Sequence, residues 1–168
     1  MVASAASMRP SDPEPVFDAI EGLLRSEPPS WLAVLGHVLD HTQCPVGTLH
    51  LTDADGELAL VAQRGLPPPV AAVVARIPIG KGMAGIAAER REPVQVCNLQ
   101  EDTSGVVRPG AKLTRMEGSI ACPILHEQRV HGVLGVAKPT PYEFTPAETE
   151  FLMEVGRRIA RRVWSLHA

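Results

Sequence analysis

Three sets of residues in this sequence have types and spacings that could do chemistry. Gly80, Gly82 and Gly85 follow a short apolar run and open a helix-like stretch, and an acidic residue, Glu101 or Asp102, stands about twenty positions on, the spacing of a dinucleotide site. His37, His41 and Cys44 fall at helical spacing, which would set three metal-ligating side chains along one face. Cys44, Cys97 and Cys122 are the only thiols. Their odd number, with no C-x-x-C, argues against a disulfide framework and reads as reduced, mostly core thiols. A dinucleotide site needs a parallel β-α-β crossover. Here the flanking strand candidates form hairpins, and the run before the glycines ends in Pro78, which has no ladder donor. The glycines therefore read as a tight strand-to-helix entry. The two histidines read as caps at a helix C-terminus, and no metal is expected. No acid–base pair, nucleophile triad or phosphate loop appears, so no catalytic residue and no cofactor are expected.

The elements that must position these residues follow from composition and period. The chain has 168 residues, 45% hydrophobic and 21% charged, a globular balance for one core. A net charge of -3 offers no field to gather nucleic acid. No apolar run reaches the roughly 20 residues of a membrane span, and the first residues lack the pattern of a signal peptide. The expectation is a cytoplasmic protein with no nucleic-acid or membrane partner.

Residues 1–12 read as a flexible tail and 13–168 as one domain. Val16, Phe17, Ile20, Leu23 and Leu24 predict a first helix with Pro15 in its opening turn, and Ser30 is placed to cap a second. The period then switches to two. "VGTLHLTDADGELALVAQRG" predicts a hairpin turning at Gly56. A proline-initiated turn leads to the glycines and a short helix stopped at Pro93; "VQVCNL" is a strand, and Gln100 to Glu117 is a loop with one helical turn. "GSIACPIL" and "RVHGVLGVAK" predict a second hairpin, and Thr145, Pro146 and Glu148 open a capped helix of about 20 residues.

Gly80, Gly82 and Gly85 before a short helix, Pro93 before a strand, Ser119 and Pro123 in "SIACPI", Gly132 and Gly135 in "HGVLGV", and Phe144 opening the last helix together resemble a GAF domain. The resemblance spans roughly residues 16 to 166. It implies an α+β fold: a central antiparallel sheet of about six strands, terminal helices on one face, and a pocket on the other between the sheet, the short helix and loops. Cyclic-nucleotide-binding members pair Asn-Lys with a downstream Phe and Asp-Glu. This chain has Ala137-Lys138, Phe144 and Glu148-Thr149, so Lys138 and Glu148 are expected to pair as a helix anchor, and the ligand is either a cyclic nucleotide or another small molecule. The family also contains free methionine-R-sulfoxide reductases, whose working cysteines lie near the glycine turn, where this chain has Met83 and Ala84, and in the long loop, which has no cysteine.

Alternation places Thr48 and His50 on one strand face and Ser119 with Ala121 on another. Together with Asn98, Asp102 and Thr103 from the loop, and Met83 and Ile86 from the short helix, they are the expected pocket residues. In the last helix, Met153, Gly156, Ala160 and Trp164 widen the apolar stripe past half the circumference, predicting a homodimer through the terminal helices. The resulting expectation is a non-enzymatic signalling module, a bacterial regulator in type, that binds a small ligand or a partner protein. The alternatives are a reductase of the same fold and a ligand-free dimerisation scaffold with its pocket closed by Met83, Leu99 and Leu113.

Overall fold

Helix starts where proline allows it. In the computed structural model, which describes residues 12–107 and 109–167, α1 (Glu14–Leu24) carries proline in its first turn and buries Phe17, Ile20 and Leu24. The expected tail, apart from Asp12, lies outside the described residues. α2 (Trp31–Thr42) buries Val34, Leu35, Val38 and Leu39, but Ser30 makes no side-chain cap bond, contrary to expectation. The other end of α2 is capped from a distance. Lys138 Nζ donates to the carbonyls of Thr42 at 2.8 Å and Gln43 at 3.4 Å, a cation on carbonyls left without helical partners.

The sheet comprises β1 (Val46–Thr52), β2 (Leu58–Arg64), β3 (Arg76–Ile77), β4 (Val94–Val96), β5 (Gly118–His126) and β6 (Arg129–Lys138). Its order is β3-β2-β1-β6-β5-β4 and every pairing is antiparallel, so no β-α-β crossover surrounds the glycines. The first hairpin turns as its sequence requires: Asp53 Oδ1 accepts from the amides of Asp55 and Glu57, and Gly56 has φ 78. Arg76 then ties β3 to that turn through Asp53 at 2.7 Å and Asp55 at 3.1 Å. The second hairpin turns through Glu127 and Gln128, both in the left-handed region.

Strand alternation divides the apolar residues into two cores. α1, α2 and α5 (Pro146–Leu166) cover one face over Leu49, Ile120, Cys122, Ile124, Leu134 and Val136. On the other face, α4 (Gly82–Arg90) packs on Leu58, Ile77, Val94, Ala121 and Val133. α3 (Pro68–Val73) and a 3-10 helix (Pro109–Thr114) lie on that side and contact each other. α5 begins with the expected capping box, Thr145 accepting from the Glu148 amide and Glu148 accepting from the Thr145 amide. Glu148 also accepts from Tyr142 Oη at 2.7 Å. The expected Lys138–Glu148 pair does not form, because each has a nearer partner.

Gly156 and Ala160 are buried within the chain. A methyl on Gly156 would meet Pro123 O at 3.4 Å, so the close approach these small residues permit is to β5 rather than to a second helix. Met153 packs on the helical core. Of the four residues expected on a dimer face, only Trp164 is strongly exposed, at 42%, beside His126, His131 and Arg129. No described helix is long and apolar enough to cross a membrane.

Candidate functional site

Cross-strand register builds a floor on the α4 side of the sheet. Val46, Ala137 and Ser119 form one row across β1, β6 and β5; Thr48, Gly135 and Ala121 form the next; His50, Val133 and Pro123 form the third. The centre of this floor is made of alanine and glycine, and where side chains are missing there is space. A cavity of ≈ 170 Å³ lies above it. Leu66, the α3 residues Val70 and Val73, and Val74 just past α3 line it on one side, and Lys81, Gly82, Met83 and Ala84 at the start of α4, with Leu99, Val107 and Thr114, line the rest.

The glycine motif is explained at this wall. Gly80 has φ 88 and Gly82 φ 65, values that favour glycine. Gly85 takes ordinary helical backbone, but a methyl there would meet Pro78 O at 2.5 Å and Gly80 N at 3.1 Å. The bond from Gly80 N to Gly85 O, 2.8 Å, folds the turn back on α4 and brings the helix start to the cavity.

His50 is 1% exposed, and its Nε2–H donates to Val74 O at 2.8 Å, tying β1 to the end of α3. Its Nδ1 is buried and has no hydrogen-bond partner among the described residues. The Thr48 hydroxyl has none among the described residues, and Ser119 Oγ makes only a long 3.5 Å bond to Val136 O. Lys81 is the only charged side chain among the described lining residues; it is exposed and makes no ion pair among the described residues.

Of the residues expected at a pocket, Thr48, His50, Met83 and Ser119 line the cavity. Ile86 packs in the core beneath α4. Asn98 and Asp102 are engaged in local turns, accepting from the Gln100 amide and from Ser104 Oγ, and Asp102 borders a separate groove beside β4. Thr103 is exposed and does not line the cavity. The α3 wall and Lys81 were not anticipated. The signal for the α3 wall was the apolar "VAAVV" run after the prolines, too rich in valine for a solvated turn.

Two expectations for the thiols and histidines change. Cys97 lies just past the end of β4 and is exposed rather than core, while Cys44 and Cys122 are buried. Burial raises the Cys44 thiol and pushes Cys122 up to about 12, so neither is a thiolate at neutral pH. None of the three lines the cavity. His41 packs at a tilt against Phe151, ring centroids 4.2 Å apart, rather than converging with His37 and Cys44, and no metal-ligating cluster occurs among the described residues.

Burial lowers His41, His50 and His131 below the ordinary imidazole value of 6.5. The unfolded chain therefore takes up protons before the fold does as pH falls. Their contribution is fully present above pH 6.5 and is lost below it. The midpoint of urea denaturation is expected to be lower at pH 5.5 than at pH 7.5, and equal midpoints would show these rings to be solvated.

The fold is an α+β domain with a six-stranded antiparallel sheet and a half-open cavity on the face opposite α1, α2 and α5. The sequence matches the family described as GAF domain over residues 32–163, and the chain belongs to that family. No curated protein matches it. Among solved structures it is similar to the GAF domain of an Acinetobacter phosphoenolpyruvate-protein phosphotransferase, at 20% identity and TM-score 0.76, covering 92% of this chain and 93% of that one. It is also similar to free methionine-R-sulfoxide reductase from Neisseria meningitidis, at 21% identity and TM-score 0.72, covering 90% and 88%. A domain of a putative two-component sensor histidine kinase from Sinorhizobium meliloti matches at 18% identity and TM-score 0.65, covering 80% and 89%. At these identities the likeness is one of fold, shared by signalling domains and enzymes alike.

Proposed function

We propose that this GAF domain is a non-enzymatic regulatory module that binds a ring-sized small molecule in the cavity beneath α3 and α4 and signals through its terminal helices. The observation that carries this reading is the cavity itself. Its ≈ 170 Å³ is close to the roughly 150 Å³ of an apolar cavity that takes benzene. A cyclic nucleotide, with purine, ribose and phosphodiester, is several times larger than benzene, and Ala137 supplies no amide where nucleotide-binding relatives carry Asn. Leu113, 63% exposed, does not fill the space, which favours a ligand site over a closed scaffold. The reductase reading loses support because sulfoxide reduction needs a thiolate in reach of the substrate, and no described thiol lines the cavity. Output through the helical face would fall to α1, α2 and α5, and association with a second copy or another protein to the exposed end of α5 around Trp164.

Native mass spectrometry of the chain and of Ser119→Phe tests this reading. The Phe ring should occupy the cavity, so a small molecule retained by the native chain is expected to be absent from the variant. A native chain that retains nothing and takes up nothing from a metabolite extract would overturn it, as would turnover of free methionine-R-sulfoxide.

A further inference from the structure

A second cluster lies away from the cavity, at the hairpin end of β5 and β6. The β5–β6 register shifts between Ile124 and Leu125, so His131 stands unpaired in a bulge, and its ring meets Trp164 near the end of α5 with centroids 6.2 Å apart. His126 packs on the same indole at 5.5 Å and faces His131 at 6.3 Å. The Arg129 guanidinium lies over the indole at 5.8 Å. Trp164 is thus held by two imidazoles and a permanent cation. His131 Nε2 is buried and has no hydrogen-bond partner among the described residues. The charges acting on it are all positive or become so: His126 of β5, Arg129 of its own strand and His167 at the C-cap of α5. Arg161, one turn before Trp164, is drawn to Glu154 at 4.0 Å, and Arg91 donates to the Gln128 carbonyl in the turn. Glu127 of the turn is exposed, and no carboxylate pairs with His126, Arg129 or His131 among the described residues.

We propose that this cluster is a proton-sensitive latch, which holds the last turn of α5 on the β5–β6 hairpin at neutral pH and releases it in mild acid. Neutral imidazoles pack on the indole as aromatic rings. A proton added to His131 would sit on a ring whose Nε2 has no acceptor, beside Arg129, His126 and His167, where it is both desolvated and repelled. Moving the end of α5 outward relieves both costs. Burial, and after it these neighbours, hold His131 below the ordinary 6.5, so the closed form is fully favoured above pH 6.5 and is lost as pH falls through the lower value. Attraction of an imidazolium to the indole face is the opposing effect, but Arg129 already occupies a position over that ring. The latch does not depend on the cavity being a ligand site.

The chain has two tryptophans, so Trp31→Phe leaves Trp164 as the sole indole reporter. Acrylamide quenching of that variant between pH 7.5 and pH 5.0 tests the latch. Trp164 is 42% exposed, so release is expected to raise the quenching constant about twofold, with a midpoint below pH 6.5. Adding His126→Gln and His131→Gln, which removes both protonation sites, should flatten the profile. Proton NMR of the native chain gives a measure free of substitutions: the His131 ring should titrate together with a shift of the Trp164 indole N–H, while the amides of β5 and β6 stay protected from exchange. A quenching constant that is unchanged or falls in acid overturns the latch, as does a rise that survives both histidine substitutions. Titration of His131 without a shift at Trp164 overturns it as well. So does loss of β5 and β6 protection at the same pH, which would make the release part of global unfolding.

Discussion

Replacing Gly132 with alanine is expected to cost at least the upper end of the roughly 1–3 kcal/mol typical of overpacking, and to lower the melting temperature by about 10 °C. Gly132 lies in β6, a strand paired on both sides, opposite Leu51 of β1 and Ile124 of β5. A register shift in the β5–β6 pairing leaves His131 as an extra residue just before it. The added methyl would fall on the His50 carbonyl oxygen, with Leu51 Cα at 3.1 Å, and both are backbone. No rotamer change can relieve that contact; β1 has to move away from β6. Gly22 in α1 provides the control. Nothing lies within 4 Å of its missing side chain, so Gly22→Ala is expected to stabilise by about 1 kcal/mol through helix propensity alone. Equal effects of the two substitutions in urea denaturation would contradict the contact assigned to Gly132.

Phe151→Ala is expected to cost about 3–5 kcal/mol, the range for emptying a buried aromatic site. The side chain is 6% exposed, stacks on Phe17 of α1 at 5.4 Å and packs at a tilt against His41 of α2 at 4.2 Å, so one ring holds three helices. Arg158 lies over Phe17 at 4.6 Å and bonds Glu21 at 3.1 Å, and these contacts remain in the variant but are more exposed. Loss of the ring should therefore loosen the helical layer before the sheet. Amide hydrogen exchange is expected to accelerate in α1 and α2 while β5 and β6 keep most of their protection. Uniform acceleration across both layers would show that they unfold as one unit.

Elements with a local cause could be read from the sequence. The period-two runs around Asp53–Gly56 and the Thr145/Glu148 box need only neighbouring residues, and both form as read. Alternation also carried Thr48, His50 and Ser119 to the cavity floor, because strand geometry fixes which face a residue takes. Where the cause is distant, the sequence was silent. Lys138 stands ten positions before Glu148, but its partners are carbonyls at the end of α2, brought near by β1–β6 pairing. Asn98 and Asp102 were assigned to the pocket by polarity, yet short polar side chains in a loop are satisfied by their own turns. The extended run through Cys97 ends at Val96, so alternation does not govern that thiol.

The seat of α5 has a mechanical consequence. Gly156 lets the helix rest on the backbone of β5, where a methyl would meet Pro123 O at 3.4 Å and Ile124 Cα at 3.5 Å, with the branched Ile124 side chain the one side-chain contact there. The same strand carries Ser119 and Ala121 on its opposite side. On the proposed function the sheet would act as a diaphragm, loaded from the cavity and read by the helix. Rotamer hops, which absorb small strains across most helix–sheet contacts, have little to act on at this point, so a displacement of β5 would pass to α5 as through a stiff linkage without a spring.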